Sequence, residues 1–171
     1  MPVNIEIKAY CPNPVKAAEL LAGLQADHRG TDHQIDTYFI VKDGRLKLRE
    51  GKIENNLIYY KRDDQAGPKR SDVILYPGSR DPRLKQILRE TLGILVVVDK
   101  QRDIYFVDNV KFHIDDVKGL GTFVEIEAIG EEGDEPLLDQ QCKHYMEKLN
   151  IADEHLLSVS YSDLLLEKNS Q

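Results

Sequence analysis

The chain has few of the residues that mark specialised classes of protein. Its 171 residues include two cysteines and no tryptophan. Cys11 and Cys142 are far apart and form no CxxC pair, so the sequence indicates neither a disulfide framework nor a thiolate metal site, and we expect a reducing compartment. The longest clean apolar run, residues 94–98, is far shorter than a membrane span. We therefore expect no membrane partner.

The chain also lacks a basic excess and the short motifs that commonly bind phosphate or metal. The formal net charge is −7 at pH 7, which argues against a nucleic-acid partner because generic nucleic-acid binding needs a basic surface. There is no GxxxxGK[ST] and no HExxH, and Gly119-Leu120-Gly121 lacks the third glycine of a dinucleotide fingerprint. The first residues show no signal peptide, so we expect a cytoplasmic protein.

What the chain does contain is typical of a globular protein. Hydrophobic residues make up 41% and charged residues 31% of the sequence, which argues against a disordered chain. No repeat, low-complexity tract or domain boundary is visible. The length predicts one domain that spans residues 1–171 and is large enough for a hydrophobic core.

Alternating apolar and polar residues predict many strands and few helices. The expected strands, rich in Val, Ile, Tyr and Phe, are residues 3–11, 33–41, 45–50, 57–63, 72–76, 95–106, 110–117 and 122–129. Asp43-Gly44 is a typical hairpin turn between the second and third strands. Helices are expected at residues 14–25, 81–92, 137–149 and 160–167, where capping residues precede apolar positions at helical spacing.

Hairpin-linked strands favour an antiparallel sheet, and eight of them favour closure into a barrel that leaves no free edge. If the helices cover the outer face, the charged residues of each strand must line the interior. The sequence thus predicts an α+β fold, an eight-stranded antiparallel closed β-barrel with a charged lumen and helices packed outside. The alternative is an open sheet whose charged side faces solvent.

The charges on this face are sorted by sign, which favours the barrel. A solvated face usually mixes both signs, whereas separated signs on a concave face suit a phosphate chain with a divalent metal. Basic side chains bind phosphate oxygens, and carboxylates bind Mg²⁺ or Mn²⁺. The carboxylates come from the first and last strands, Glu6, Asp115, Glu125 and Glu127, and the basic residues are Lys8, Lys47, Arg49, Lys61, Lys100 and Arg102.

Several blocks resemble the CYTH superfamily, the triphosphate tunnel metalloenzymes. Residues 4–8, Asn-Ile-Glu-Ile-Lys, look like the ExExK signature of that family. Similar blocks are residues 36–38 with 46–49, Tyr60-Lys61, 100–106 and 113–127, and the last two are most similar to bacterial class IV adenylyl cyclases. The resemblance covers nearly the whole chain and implies an eight-stranded antiparallel tunnel.

The resemblance also implies roles for individual residues. Metal ligands would be Glu6, Glu125 and Glu127, with Asn4 at a further motif position that is acidic in the family. The triphosphate would be bound by Lys8, Lys47, Arg49, Lys61, Lys100 and Arg102. Asp115, Lys61 and Tyr38 are the candidates for catalytic groups. The implied cofactor is Mg²⁺ or Mn²⁺, the implied partner is a small-molecule triphosphate, and cyclase relatives suggest a homodimer.

The resemblance leaves three functions open. The preferred interpretation is a class IV adenylyl cyclase-like enzyme that converts ATP to cyclic AMP and pyrophosphate. The alternatives are hydrolysis of tripolyphosphate, thiamine triphosphate or a nucleoside triphosphate, and binding without catalysis. Asn4 motivates the last of these because an amide oxygen brings no negative charge to a cation. The missing tryptophan weighs against an indole platform for a thiazolium ring.

Overall fold

Eight antiparallel strands close into a ring in the computed structural model, which describes residues 2–78 and 80–171. The strands are β1 (Pro2–Tyr10), β2 (Asp27–Phe39), β3 (Arg45–Glu50), β4 (Asn55–Arg62), β5 (Lys69–Pro77), β6 (Ile94–Val107), β7 (Val110–Val117) and β8 (Gly121–Glu131). The helices are α1 (Pro14–Gly23), α2 (Pro82–Leu92), α3 (Glu135–Lys148) and α4 (Tyr161–Asn169), with a short 3-10 turn at Asp153–His155.

The strand order around the ring is β1-β5-β4-β3-β2-β6-β7-β8, and β8 pairs with β1 to close it. Every pairing is antiparallel. The expected closed barrel is therefore confirmed, and the open sheet is wrong. At the β2–β3 turn, Gly44 adopts a φ of 68°, which a glycine reaches without steric cost.

The apolar residues of β1, β7 and β8 point outward and pack under α1 and α3. Ile5, Ile7, Phe112, Ile126 and Ala128 are buried there with helix residues, among them Leu21, Leu138 and Cys142. Cys11 and Cys142 are both buried and free. Since side chains alternate along a strand, this dry outer core forces the intervening polar side chains into the lumen.

The starts of two strands differ most from those expected. Strand β2 begins at Asp27 rather than at residue 33, because its polar first half pairs with the distal half of the long β6, from Asp27 opposite Phe106 onward. The stretch has no apolar alternation, so the sequence pattern did not show it. Strand β5 likewise begins at Lys69 rather than residue 72, where Glu6 of β1 lies opposite Lys69.

The C-terminal segment, residues 156–169, covers one end of the ring. The Leu157 amide donates to the Lys8 carbonyl, and Arg45 pairs with Asp163 at 2.8 Å. Leu157 and Tyr161 also pack on residues near the ends of β6, β7 and β8, including Val96, Val117 and Phe123. These contacts lie at one end of β1, β3, β6, β7 and β8, so this segment leaves the opposite end of the lumen, where β4 begins and β5 finishes, uncovered.

No helix in residues 2–78 and 80–171 combines the length and the apolar character needed to cross a membrane.

Candidate functional site

The lumen holds a cavity of about 120 Å³ lined mainly by charged side chains. Its acidic lining comes from β1, β2, the β3–β4 loop and β8, namely Glu6, Asp36, Glu54, Glu125 and Glu127. Its basic lining is Lys8, Lys47, Arg49, Arg62, Lys100, Arg102 and Lys111. Most of the residues predicted from the sequence therefore do converge on one concave space.

Asp36 of β2 holds three of the predicted basic residues together. Arg49 donates to both of its carboxylate oxygens, at 2.9 and 2.8 Å, and Lys100 donates at 2.7 Å. Lys47 lies 3.4 Å from the same carboxylate. Burial lowers the pKa of Lys100 to about 7 despite this partner, with Arg102 and Arg49 acting in the same direction. Asp36 was quoted in the family motif, but its role in clustering the cations was not predicted.

Asp115 does not line the cavity; it holds Arg102 from behind. The Arg102 guanidinium donates to both Asp115 oxygens, at 2.7 and 2.6 Å, and the Tyr161 hydroxyl donates to the same carboxylate at 2.7 Å. Asp115 is fully buried, and each of its oxygens accepts at least one of these hydrogen bonds. The structure gives Asp115 a position suited to orienting Arg102, rather than a place beside a ligand.

Lys61 lies outside the barrel, and the prediction that it faces the lumen is wrong. Its side chain is 54% exposed and pairs with Asp43 on the outer surface. The lumen residues of β4 are Asn56, Ile58, Tyr60 and Arg62, so Lys61 falls on the opposite parity. Because Tyr60 lines the lumen, the alternation of side chains along β4 would have predicted that Arg62, two residues later, also lines it.

Arg62 is buried in the lumen, and part of its guanidinium makes no hydrogen bond to the described residues. Its side chain is 4% exposed, and Nη1 donates to Glu6 Oε1 at 2.9 Å. Among the described residues, Nε and Nη2 of Arg62 have no hydrogen-bond partner. Buried N–H groups without partners are costly. Two such nitrogens on one guanidinium indicate a place for an acceptor, and a phosphate group fits this fork.

Acidic residues crowd the adjoining wall. Glu6 on β1 lies directly opposite Glu127 on β8, and Asn4 donates to Glu127 at 2.6 Å. Burial and the nearby carboxylates of Glu6, Glu125 and Glu54 together raise the pKa of Glu127 to about 7, against the opposing effect of Lys111. A carboxylate destabilised by its acidic neighbours is suited to receive a cation.

The donors on this wall fit a hard divalent cation. Three carboxylates and the Asn4 amide supply oxygen ligands of the kind that Mg²⁺ and Mn²⁺ prefer. A different group, His113, Asp115 and Glu125, brings its donor atoms within 4.8 Å of one another. In that group the Asp115 carboxylate binds Arg102, and Glu125 accepts from His113 Nδ1 at 3.0 Å. Glu125 is the member that this group shares with the acidic wall, and His113 Nε2 has no hydrogen-bond partner among the described residues.

Tyr38 lines the cavity beside Lys47, whose ammonium donates to the Tyr38 hydroxyl at 3.3 Å. Burial raises the pKa of Tyr38 to about 12, so the phenol stays protonated and can donate a hydrogen bond but cannot act as a base near neutral pH. Lys8 lies 3.3 Å from Glu125 and 3.7 Å from the centre of the Tyr161 ring.

Sequence reasoning missed Glu54 as well as Arg62. Glu54 lies just before β4, accepts from Gln34 at 2.8 Å, and pairs with Lys111 and Arg49. Its loop is held by Asp32, which accepts from the amides of residues 52–54. The alternation of side chains along a strand cannot place a loop residue such as Glu54. Lys111 is on the same face of β7 as His113, so the alternation could have identified it as a lumen residue.

Three comparisons bear on the identity of this fold. A protein of Methanocaldococcus jannaschii named as a candidate adenylate cyclase is 27% identical over 174 residues, which cover 95% of this chain and 98% of that protein. A solved structure of a Pyrococcus horikoshii OT3 protein matches with a TM-score of 0.77 at 21% identity, covering 94% of this chain and 98% of that one.

A second solved structure is a candidate adenylyl cyclase from Hippeastrum that is described as having a dominant triphosphatase activity. It matches with a TM-score of 0.62 at 16% identity and covers 100% of this chain and 97% of its own. At these identities the two structural matches show the fold alone. A model of the CYTH domain matches residues 3–161, and because this match spans nearly all of the 171 residues, the chain belongs to the CYTH domain family.

Proposed function

We propose that this chain is a metal-dependent enzyme that binds a triphosphate in its lumen and acts on it as an adenylyl cyclase. The observation that carries the proposal is Arg62, a buried guanidinium with two donors that find no partner among the described residues. Lys8, Lys47, Arg49, Lys100 and Arg102 line the same cavity. Together they supply the positive charge that a triphosphate of about four negative charges needs.

Glu6, Glu125, Glu127 and Asn4 would hold Mg²⁺ or Mn²⁺. When bound there, the metal supplies Lewis-acid polarisation of a phosphoryl oxygen and lowers the pKa of a bound hydroxyl or water. In the unliganded chain, Arg62 pairs with Glu6, and Lys8 with Glu125. These cations neutralise the carboxylates and can turn to the phosphate oxygens when a divalent cation replaces them.

In the cyclase reaction, the ribose 3′ oxygen forms a bond to the α-phosphorus and the bond to the β-phosphate oxygen breaks. The hydroxyl proton passes to solvent and pyrophosphate leaves. Arg62, Arg49 and Lys100 stabilise the charge that develops on the leaving group because they are buried donors with fixed positions. Tyr38 is a protonated donor and contributes a hydrogen bond, while Asp115 keeps Arg102 oriented.

Hydrolysis of the terminal phosphate is the second candidate, favoured by the Hippeastrum relative with its dominant triphosphatase activity. The same cations would bind the phosphates, and water would form the new bond to the terminal phosphorus in place of the ribose oxygen. The cation cluster serves both reactions equally, so the nucleophile distinguishes them.

The experiment is product analysis with purified protein, Mg²⁺ or Mn²⁺, and one of three substrates, ATP, tripolyphosphate or thiamine triphosphate. Cyclic AMP with pyrophosphate supports the cyclase. Orthophosphate without cyclic AMP selects the triphosphatase. Bound triphosphate without any product would make the chain a binding protein, and no binding by calorimetry would contradict the proposal. The Arg62→Ala variant is the control for activity from contaminants.

A further inference from the structure

One wall of the lumen is apolar. Strands β4 and β5 place Ile58 opposite Leu75 and Tyr60 opposite Val73, and all four side chains line the cavity. These are neighbouring cross-strand pairs, so they form one continuous surface that runs from the middle of the lumen to its open end. Leu75 is two residues from the end of β5 at Pro77, which places it at the mouth.

The inner part of this wall has a structural explanation. Ile58 and Tyr60 belong to a buried cluster with Tyr38, Leu157 and Tyr161, and Val73 packs against it. Leu75 is not part of that cluster and remains 55% exposed. An apolar side chain that lines a charged cavity and is more than half exposed stabilises little in the free protein, so Leu75 is the part of the wall that a ligand would cover.

The opposite side of the ring has a different character. Strands β4 and β5 stand across from β7 and β6, which carry Lys111 and Arg102 into the cavity. A purely inorganic phosphate chain would gain nothing from Leu75, because its oxygens lose water against apolar atoms without gaining a hydrogen bond. A ligand that suits both walls has an anionic part and an apolar or aromatic part.

We infer that the apolar wall binds the organic group of a nucleoside triphosphate, with the base on Leu75 at the mouth and the phosphates further in. This inference rests on the proposed function. Arg62 lies opposite Ser71 on β5, four residues from Leu75, or roughly 13 Å along the strand. Asn56, which lines the cavity beyond Ile58, carries an amide that can bond to the edge of a base.

The two ends of the ligand therefore have separate sites. Phosphate recognition belongs to the basic residues of the inner lumen, and discrimination between organic and inorganic triphosphates belongs to Leu75. The chain offers a matched control, since Tyr76 is the next residue on β5 and points outward, where it is 63% exposed.

The test measures ATP and tripolyphosphate binding by calorimetry in the presence of Ca²⁺, with chromatography to verify that each ligand stays intact. The proteins are the natural chain, Leu75→Ser, Leu75→Met and the control Tyr76→Ser. We expect Leu75→Ser to weaken ATP binding about fivefold, the effect of losing part of a leucine contact. Tripolyphosphate binding should be unchanged, Leu75→Met should retain ATP binding, and Tyr76→Ser should alter neither.

Equal losses for ATP and tripolyphosphate in Leu75→Ser would overturn the inference, as would an ATP affinity that does not change. In either case the proposed function survives, because the natural chain still binds a triphosphate. If the natural chain bound neither ligand, the proposed function would fail and this inference with it. Melting temperatures of the variants identify any loss that is due to unfolding.

Discussion

The two faces of β1, β7 and β8 differ completely, although they alternate along the same three strands. The outer face carries Ile7, Phe112 and Ile126, which are at most 1% exposed and packed under helices. The lumen face carries Lys8, His113 and Glu125, which are also largely buried but ionic or polar. Burial is therefore similar on both faces, while its energetic consequence is opposite.

Apolar burial on the outer face stabilises the fold, at about 25 cal/mol per Å² of surface removed from water. Burial of charge in the lumen opposes folding unless each charge is paired. The lumen accordingly contains pairs such as Arg102 with Asp115 and Arg49 with Asp36. The difference shows that the helices and outer face supply the stability that lets the lumen hold charges.

The largest expected effect tests the outer face. Phe112→Ala should lower the free energy of unfolding by about 3–5 kcal/mol, the cost of a cavity in a packed core. Phe112 is fully buried and its ring meets Tyr145 edge-on at 4.9 Å. Urea denaturation followed by circular dichroism measures the change. The neighbouring lumen double variant Lys111→Met with Glu54→Gln removes both members of an ion pair and should therefore cost much less, and similar losses in the two proteins would contradict the comparison.

The next effect concerns ligand binding in the lumen. Arg62→Ala should weaken triphosphate binding about tenfold to a hundredfold, the scale of one or two charge-assisted hydrogen bonds. Lys61→Ala is the matched control, since that side chain points outward and pairs with Asp43. Calorimetry with ATP measures both variants. A larger loss for Lys61→Ala than for Arg62→Ala would contradict the placement of these residues.

A third prediction separates stability from binding at Lys100. Burial lowers its folded pKa to about 7 from the ordinary 10.5, so the unfolded chain binds more protons between these values. The cost of charging Lys100 is therefore fully present below pH 7, and stability rises as the pH increases from about 7 toward 10.5.

We expect Lys100→Met to raise the free energy of unfolding at pH 7 by about 1 kcal/mol or more. The same variant should have a flatter stability profile above pH 7 and weaker triphosphate binding. Denaturation at several pH values measures the profile. Lys85 is a more exposed lysine that pairs with Glu50. The control variant Lys85→Met should leave the profile of stability against pH unchanged. An identical profile in Lys100→Met would contradict the low pKa.

The smallest expected effect tests the acidic wall at Asn4. Asn4→Asp should tighten Mn²⁺ binding severalfold, because the number of charged ligands tunes the affinity of an oxygen site. Titration followed by electron paramagnetic resonance of free Mn²⁺ measures it. Asn150→Asp adds the same charge on the outside and should have no effect. An unchanged Mn²⁺ affinity in Asn4→Asp would remove Asn4 from the metal site.

The sequence predicted the barrel because alternation is a strong signal where one face is buried under helices. It predicted Lys47, Arg49, Lys100 and Arg102 in the lumen for the same reason, and all four line the cavity. The prediction failed at Lys61, which was assigned to the charged face although the alternation that begins at Tyr60 places Arg62 there. Glu54 could not be predicted, because a loop has no periodic pattern of side chains. The position of Asp115 behind Arg102 depends on side-chain directions, which a sequence pattern does not specify.

The covered end of the ring has a consequence for product release in the proposed reaction. Because residues 156–169 lie across one end, the proposed ligand would enter and leave at the other end. If that ligand is a nucleoside triphosphate bound with its phosphates innermost, cleavage would leave the nucleotide product nearer the exit and pyrophosphate behind it. The nucleotide would then depart first, and pyrophosphate, held by the innermost cations, would compete with the next triphosphate for the same residues.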